Sequence, residues 1–290
     1  MAVRREKVIE TSKCKVDARA EIYNCAAEVA NDGRSRPLRH RQYDMSRKDI
    51  HKSWHGVDSY EEALDLLSNG YQPVVEELRE ELKVAQTYGP RFQFSNEVQG
   101  FLPVVPLALK GVPNSMIDMR IRPIKTKVLD IYYDMTANCD KDPEDFIHAG
   151  KILLGTILAL EQQGYRFNLY GVQTYWDCYN YSHVHSLDVL CVKIKSSNSP
   201  LDLKRMSFPL THPAFFRVIG FDWQGKSPIT RYAGDGRGRA INYDFRDEDC
   251  TKMIRGLFGD NAIYLSCSKL IDEDYDKNTL KGALTNGKVA

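Results

Sequence analysis

The chain has almost no net charge, +1 from 40 basic and 39 acidic residues, so its overall electrostatics select neither nucleic acid nor a strongly charged partner. It has no apolar run long enough to span a bilayer. Its first residues, MAVRREKVIETSK, contain no apolar stretch of the kind that opens a secretory signal. Cysteine is sparse and unpatterned: seven residues, an odd number, with no Cys-x-x-Cys pair. That argues against a disulfide framework or a zinc knuckle and implies reduced thiols in a cytoplasmic protein. The glycine-rich segment 234–239, GDGRGR, lacks both the lysine and hydroxyl of a P-loop and the spacing of a dinucleotide fingerprint; its glycines suit a flexible turn or hairpin tip.

What is present is an ordinary globular composition, 42% apolar and 27% charged over 290 residues. That is enough for one large domain, or for one domain and a smaller appendage. The clearest stretch is 128–172. Residues 128–133 are rich in β-branched and aromatic residues, as in a buried strand, and Asp134 closes the run. Asp142 then reads as a helix N-cap, with Pro143 at the first helical position and Glu144 and Asp145 in the first turn. The helix runs to about Gln163, and Gly164 stops it. Residues 166–172 return as a neighbouring strand, parallel to the first through a right-handed crossover. Ligands of open α/β sheets sit beyond the carboxyl ends of the strands, which places Asp134, Thr136 and Asn138 at the expected site.

The flanking regions are read in order. A short helix is expected around residues 17–31, followed by the basic arm GRSRPLRHR at 33–41. Arg34, Arg36, Arg39 and Arg41 can contact nucleic-acid phosphates, or they can form a solvated linker and ion pairs with the body of the protein. Ser59 and Glu62 form a capping-box pattern ahead of Ala63, Leu64, Leu66 and Leu67. Pro73 opens a second helix, completing a helical hairpin. Residues 100–124, interrupted by four prolines, suit an extended segment with little regular structure. Residues 187–194 form a third strand, joined to the second by a hairpin with a long polar tip at 174–186. His183 and His185 project to one face of an extended segment, and with Asp177 or Cys178 they form an alternative metal site, or simply part of an aromatic-rich loop. Pro200 and Pro213 begin two further helices, residues 246–258 form the last helix, and 262–267 the last strand. From residue 272 the chain reads as a polar tail that frays.

The order of strand, Asp-x-Thr-x-Asn loop, long helix ending LEQQGY, strand and hairpin strand resembles a von Willebrand factor A-like domain. WHGVDSYEEALDLLSNGY, then GFLPVVPLALKGVPNSM and the central unit, resembles a family of uncharacterised phage and prophage proteins over most of residues 51–240. The resemblance implies a vWA-like (Rossmann-like) α/β open sheet with helices on both faces, preceded by a helical N-terminal region. The expected organisation is an N-terminal helix and basic arm (1–50), a helical hairpin (51–99), the vWA-like α/β domain (100–271) and a polar tail (272–290). It also implies a metal-ion-dependent adhesion site for Mg²⁺ or Mn²⁺, in which Asp134 and Thr136 match the family loop. Asn138 replaces a serine there, and Ser197, Ser199 and Asp222 are candidates for the ligands that later loops supply. Finally, it implies a phage-encoded adaptor in the host cytoplasm, without catalysis, that binds a protein partner such as an AAA+ ATPase. A metal-dependent hydrolase or nuclease and a nucleic-acid-associated phage protein are the alternatives.

Overall fold

The computed structural model describes residues 2–39, 50–85, 92–121, 127–177, 184–231, 239–272 and 275–286. The chain opens with a hairpin of β1 (Val3–Glu10) and β2 (Lys15–Tyr23), and helix α1 (Ala26–Ser35) follows. The helix expected across 17–31 is therefore strand over its first half. Val16, Ala18 and Ala20 are fully buried on one side, while Asp17, Arg19 and Glu21 face the other. That is a period of two, hidden in the sequence by the helical propensity of the alanines.

Next come α2 (Lys52–His55), α3 (Tyr60–Asn69) and α4 (Gln72–Ala85). Ser59 caps α3 as expected, its Oγ accepting from the Glu62 N–H at 3.0 Å. The Glu62 carboxylate takes the Asp58 N–H at 2.7 Å rather than that of the cap residue itself. A separate antiparallel sheet follows, built from β3 (Phe92–Glu97), β4 (Leu102–Pro103) and β5 (Met116–Ile121) in the order β3-β5-β4, with the short helix α5 (Val105–Leu109) between its last two strands. This region has more regular structure than its prolines suggested. Pro103 ends a strand and Pro106 lies in the first turn of α5, positions where a missing N–H costs nothing.

The central unit is β6 (Lys127–Asp134), α6 (Pro143–Gln162) and β7 (Tyr165–Trp176), with the two strands parallel. Strand β8 (Val184–Lys195) returns antiparallel to β7. Then follow α7 (Leu203–Thr211), a π-helical turn at Phe215–Gly220, α8 (Phe221–Lys226), α9 (Ile241–Asp244), α10 (Asp247–Phe258), β9 (Ala262–Ser266), α11 (Cys267–Asp272) and α12 (Lys277–Asn286). The six-stranded sheet has the order β1-β2-β8-β7-β6-β9. It is mixed: β9, β6 and β7 run together, β8 and β2 run opposite to them, and β1 reverses again. Helices cover both faces. Ile131, Tyr133 and Leu190 pack under α6, α7 and the π-turn, and Tyr132, Val172 and Val189 pack under α10. The N-terminal region thus contributes two strands to this sheet, where a helical lead-in was expected. Nor is the C-terminal segment a polar tail, because Leu280 and Leu284, one helical turn apart in α12, are buried in the first of these cores.

Close packing fixes α6 against α7. A Cβ at Gly150 would stand 2.4 Å from the Leu210 carbonyl oxygen and 2.6 Å from the Thr211 Cα, whereas one at Gly282 would meet nothing within 4 Å. Gly150→Ala is expected to cost about 1–3 kcal/mol by overpacking. Gly282→Ala, which only removes backbone freedom from α12, should gain up to ~1 kcal/mol. Chemical denaturation of the two variants checks the opposite signs.

Glu21 ties the hairpin to the helical layer. It is fully buried, and its Oε1 accepts from Arg4 Nε at 3.0 Å. Its Oε2 accepts from Arg36 Nη1 at 2.7 Å, from Trp223 Nε1 and Ser227 Oγ at 2.9 Å each, and from Tyr23 OH at 3.1 Å. Burial alone would push this carboxyl up, but Arg36, Ser227 and Trp223 together hold it below its ordinary value. Because the folded-state value is the lower one, the stabilisation is complete above the unfolded value of about 4.3 and is lost as pH falls through the folded one. Glu21→Gln should therefore cost about 3 kcal/mol at neutral pH and should flatten the acid side of the stability profile, read by denaturant titrations at several pH values.

Candidate functional site

Strand β6 lies between β7 and β9, and Asp134 is its last residue, paired in register with Val172 on one side and Ser266 on the other. Its carboxylate is fully buried. Oδ1 accepts the Thr136 N–H at 3.0 Å, while Oδ2 accepts the Thr174 hydroxyl at 2.7 Å and the Tyr264 hydroxyl at 2.9 Å. Thr136 Oγ1 in turn accepts the Thr174 N–H at 2.8 Å, and the Thr136 carbonyl accepts from Ser268 Oγ at 3.2 Å. The following loop and both neighbouring strands thus converge on a single carboxyl group, and the first turn of α11 joins the network through the Thr136 carbonyl. Burial pushes Asp134 above its ordinary value, against the opposing effect of the Thr174, Thr136 and Tyr264 donors.

The structure therefore brings Asp134 and Thr136 together, with Thr174 as a third oxygen that the sequence did not point to. Asn138 does not join them: it is exposed, its N–H donates to Tyr243 OH at 3.3 Å, and its carbonyl accepts from Arg217. Ser197 and Ser199 follow the end of β8 that pairs with the start of β7, the opposite end of the sheet. Asp222 sits on α8, where it accepts from Tyr60 OH at 3.2 Å and pairs with Lys226 at 2.6 Å. The side-chain oxygens of Asp134, Thr136 and Thr174 are already hydrogen-bonded within the chain, those of Asp134 and Thr136 as acceptors and the Thr174 hydroxyl as a donor, and, buried, they fall short of the near-octahedral oxygen shell that Mg²⁺ requires. In this closed arrangement the residues do not fit the ion.

The other candidates divide similarly. Asp177 donates its N–H to the Ser186 carbonyl at 3.1 Å, and the His185 ring lies 5.3 Å from that of Trp176; His183 and Cys178 lie outside the described residues. Among the described residues no three His, Cys, Asp or Glu side chains gather closely enough to hold a metal ion. In the basic arm, Arg36 is committed to Glu21 and to Asp32 at 2.6 Å. Arg34 and Arg39 are exposed, with the Arg39 N–H on the Gly225 carbonyl at 2.9 Å. Arg41 and residues 232–238 of the glycine-rich segment lie outside the described residues.

Arg217 is the residue that sequence reasoning missed. It projects from the π-turn, fully buried, with its guanidinium 4.2 Å from the Trp54 ring centroid and 4.7 Å from that of Phe146. It donates to the carbonyls of Trp54, of Lys141 at 2.7 Å and of Asn138 at 3.3 Å. Burial pushes it down to about 10, so it remains charged at neutral pH. The Trp54 indole adds a hydrogen bond to the Cys139 carbonyl at 2.8 Å. The loop leaving β6 is thus held through its backbone, while the side chains of Asn138, Cys139 and Asp140 face solvent. A lone arginine inside the apolar run HPAFFRVIGFDW was the available signal, because a charge there requires buried partners.

These features define an α/β protein with a mixed six-stranded sheet and a strand-end loop built on a buried aspartate. The chain belongs to the family described as Domain of unknown function (DUF7192), which matches residues 12–285, from the start of the β1–β2 turn to α12. No curated protein and no solved structure matches it. Among the described residues no helix is long and apolar enough to cross a membrane.

Asp134→Ala leaves the Thr136 N–H and two hydroxyls without their acceptor in the core, and should cost about 3 kcal/mol or more. Calorimetric titration of the unaltered protein with Mg²⁺ or Mn²⁺ is expected to give no saturable heat. Saturable binding abolished by the substitution would instead establish a metal centre.

Proposed function

We propose that this protein is a non-catalytic accessory or adaptor module that binds a protein partner through the strand-end loop at 138–142. The observation that carries this reading is the backbone clamp. Arg217 and Trp54 take up the carbonyls of Asn138, Cys139 and Lys141, which presents the exposed side chains of Asn138, Cys139, Asp140 and Asp142 from a rigid base. A prearranged loop loses less conformational entropy on binding than a loose one. The parallel β6–α6–β7 unit followed by antiparallel β8 supports reading the domain as vWA-like. The resemblance then favours a phage-encoded module acting in the host cytoplasm, with a ring-forming AAA+ ATPase as partner. The exposed acids Asp140, Asp142 and Glu144 give the loop an acidic rim, suited to a basic partner surface.

The test is affinity capture from infected cells with quantitative mass spectrometry, followed by affinity measurement on the partner found. Asp140→Arg should weaken that partner by ~tenfold or more, equivalent to about 1.4 kcal/mol, without altering thermal stability. Glu6→Arg, on the exposed strand β1, should leave it unchanged. Equal binding by all three proteins would remove the strand-end loop from the interface. Salt-dependent nucleic-acid binding lost in an Arg34→Ala, Arg39→Ala double variant would favour the nucleic-acid reading instead.

A further inference from the structure

Two buried carboxylates hold the segment that leaves α8, and their surroundings differ sharply. Glu21 accepts from Ser227 Oγ at the start of that segment, with Arg4 and Arg36 bonded beside it. Four residues on, Asp188 of β8 accepts the Arg231 N–H through Oδ2 at 2.8 Å. Asp188 is only 5% exposed, and its Oδ1 has no hydrogen-bond partner among the described residues. Register sets it between Arg19 of β2 and Tyr175 of β7. Both nearby guanidinium groups are turned to another acid: Arg231 lies 2.5 Å and Arg19 3.5 Å from Asp17 Oδ2. Arg19 Nε, one strand away from Asp188 and buried, makes no hydrogen bond at all. Helix α8, whose Trp223 stacks on Tyr175 at 5.8 Å, carries only Asp222 and Lys226, which pair with each other at 2.6 Å. Asp188 is thus a buried carboxyl group with a single backbone donor, an arrangement that disfavours the anion.

We infer that Asp188 is a proton-operated latch, fastening the chain at Arg231 to the β2–β8 pair when protonated and loosening it when ionised. Burial pushes its carboxyl up to about 7, with Asp17 adding to the rise and Arg231 and Arg19 opposing it. Local opening at Arg231 lets water reach the group, which then regains the acidity of an ordinary aspartate, about 3.9. The closed form therefore keeps a proton that the open form releases. Because the closed-state value is the higher one, the hold is complete below about 4 and is lost as pH rises through about 7. Glu21, held below its ordinary value, stays ionised across the upper part of this window and keeps Ser227 in place. Opening at Arg231 thus pivots on the Ser227 end. The latch uses none of the residues of the strand-end loop.

Amide exchange at Arg231 from about pH 5 to pH 7, corrected for the intrinsic pH dependence of exchange, reads the latch. In the unaltered protein, protection of this amide should fall as pH rises, by up to ~tenfold per pH unit, the limit for one released proton. Asp188→Asn keeps an acceptor for the N–H but cannot ionise. Its Arg231 amide should be at least as well protected at neutral pH, and equally so across the range. Carboxyl-carbon NMR of the unaltered protein should show Asp188 titrating near 7, which tests the latch even if the variant fails to fold. Titration in the ordinary carboxylate range, protection indifferent to pH, or the same pH slope in Asp188→Asn would each overturn the inference. So would an Arg231 amide that exchanges no faster than the buried Thr174 amide, because Arg231 would then open only with the whole fold.

Discussion

A carboxylate buried away from water must find hydrogen-bond donors or be destabilised by several kcal/mol, and the arrangement around Asp134 follows from that constraint. Its three donors come from the loop that follows β6, from the end of β7 and from β9. Satisfying one side chain therefore fixes three segments relative to one another, at the end of β6 and beside the edge strand β9. Thr136 extends the network by accepting from Thr174 and, through its carbonyl, from Ser268 in α11. The loop chemistry that can hold a metal ion in an open site serves here to close the end of the sheet.

Two other buried charges meet the same requirement differently. Glu21 takes two guanidinium groups together with an indole and two hydroxyls, joining β1, β2, the end of α1 and α8. Arg217 relies on backbone carbonyls and aromatic faces. A carboxylate partner would have neutralised Arg217, whereas carbonyl partners immobilise the chain that carries them. That chain is the loop leaving β6, which is why its rigidity does not require its side chains to turn inward.

The sequence made some of this legible. The β6–α6–β7 unit was readable because its strand is rich in β-branched and aromatic residues and its helix has a proline start with acidic residues in the first turn; the Asp145 carboxylate accepts the Asp142 N–H at 3.0 Å. The Ser59 cap was readable for the same local reason. What was hidden depended on long-range partners or on competing propensities. Thr174 and Tyr264 lie 40 and 130 residues from Asp134, and no local spacing connects them. Arginine bound to carbonyls leaves no side-chain motif, so Arg217 could be seen only as an isolated charge in an apolar run. Strand β2 was concealed by alanines, the small sheet by prolines that fall at harmless positions, and α12 by a polar composition in which, among the described side chains, Leu280 and Leu284 are the buried ones.

The most direct measurement of whether the Asp134 network is structural is amide hydrogen exchange at Thr136 and Thr174, with and without Mg²⁺. If the closed network is the resting state, the Thr174 amide, bound to Thr136 Oγ1 in the core, exchanges only with global unfolding, as does the Thr136 amide on Asp134. Neither should respond to the ion. Fast local exchange at either position, or protection that changes when Mg²⁺ is added, would contradict this and return Asp134 to the role of a metal ligand.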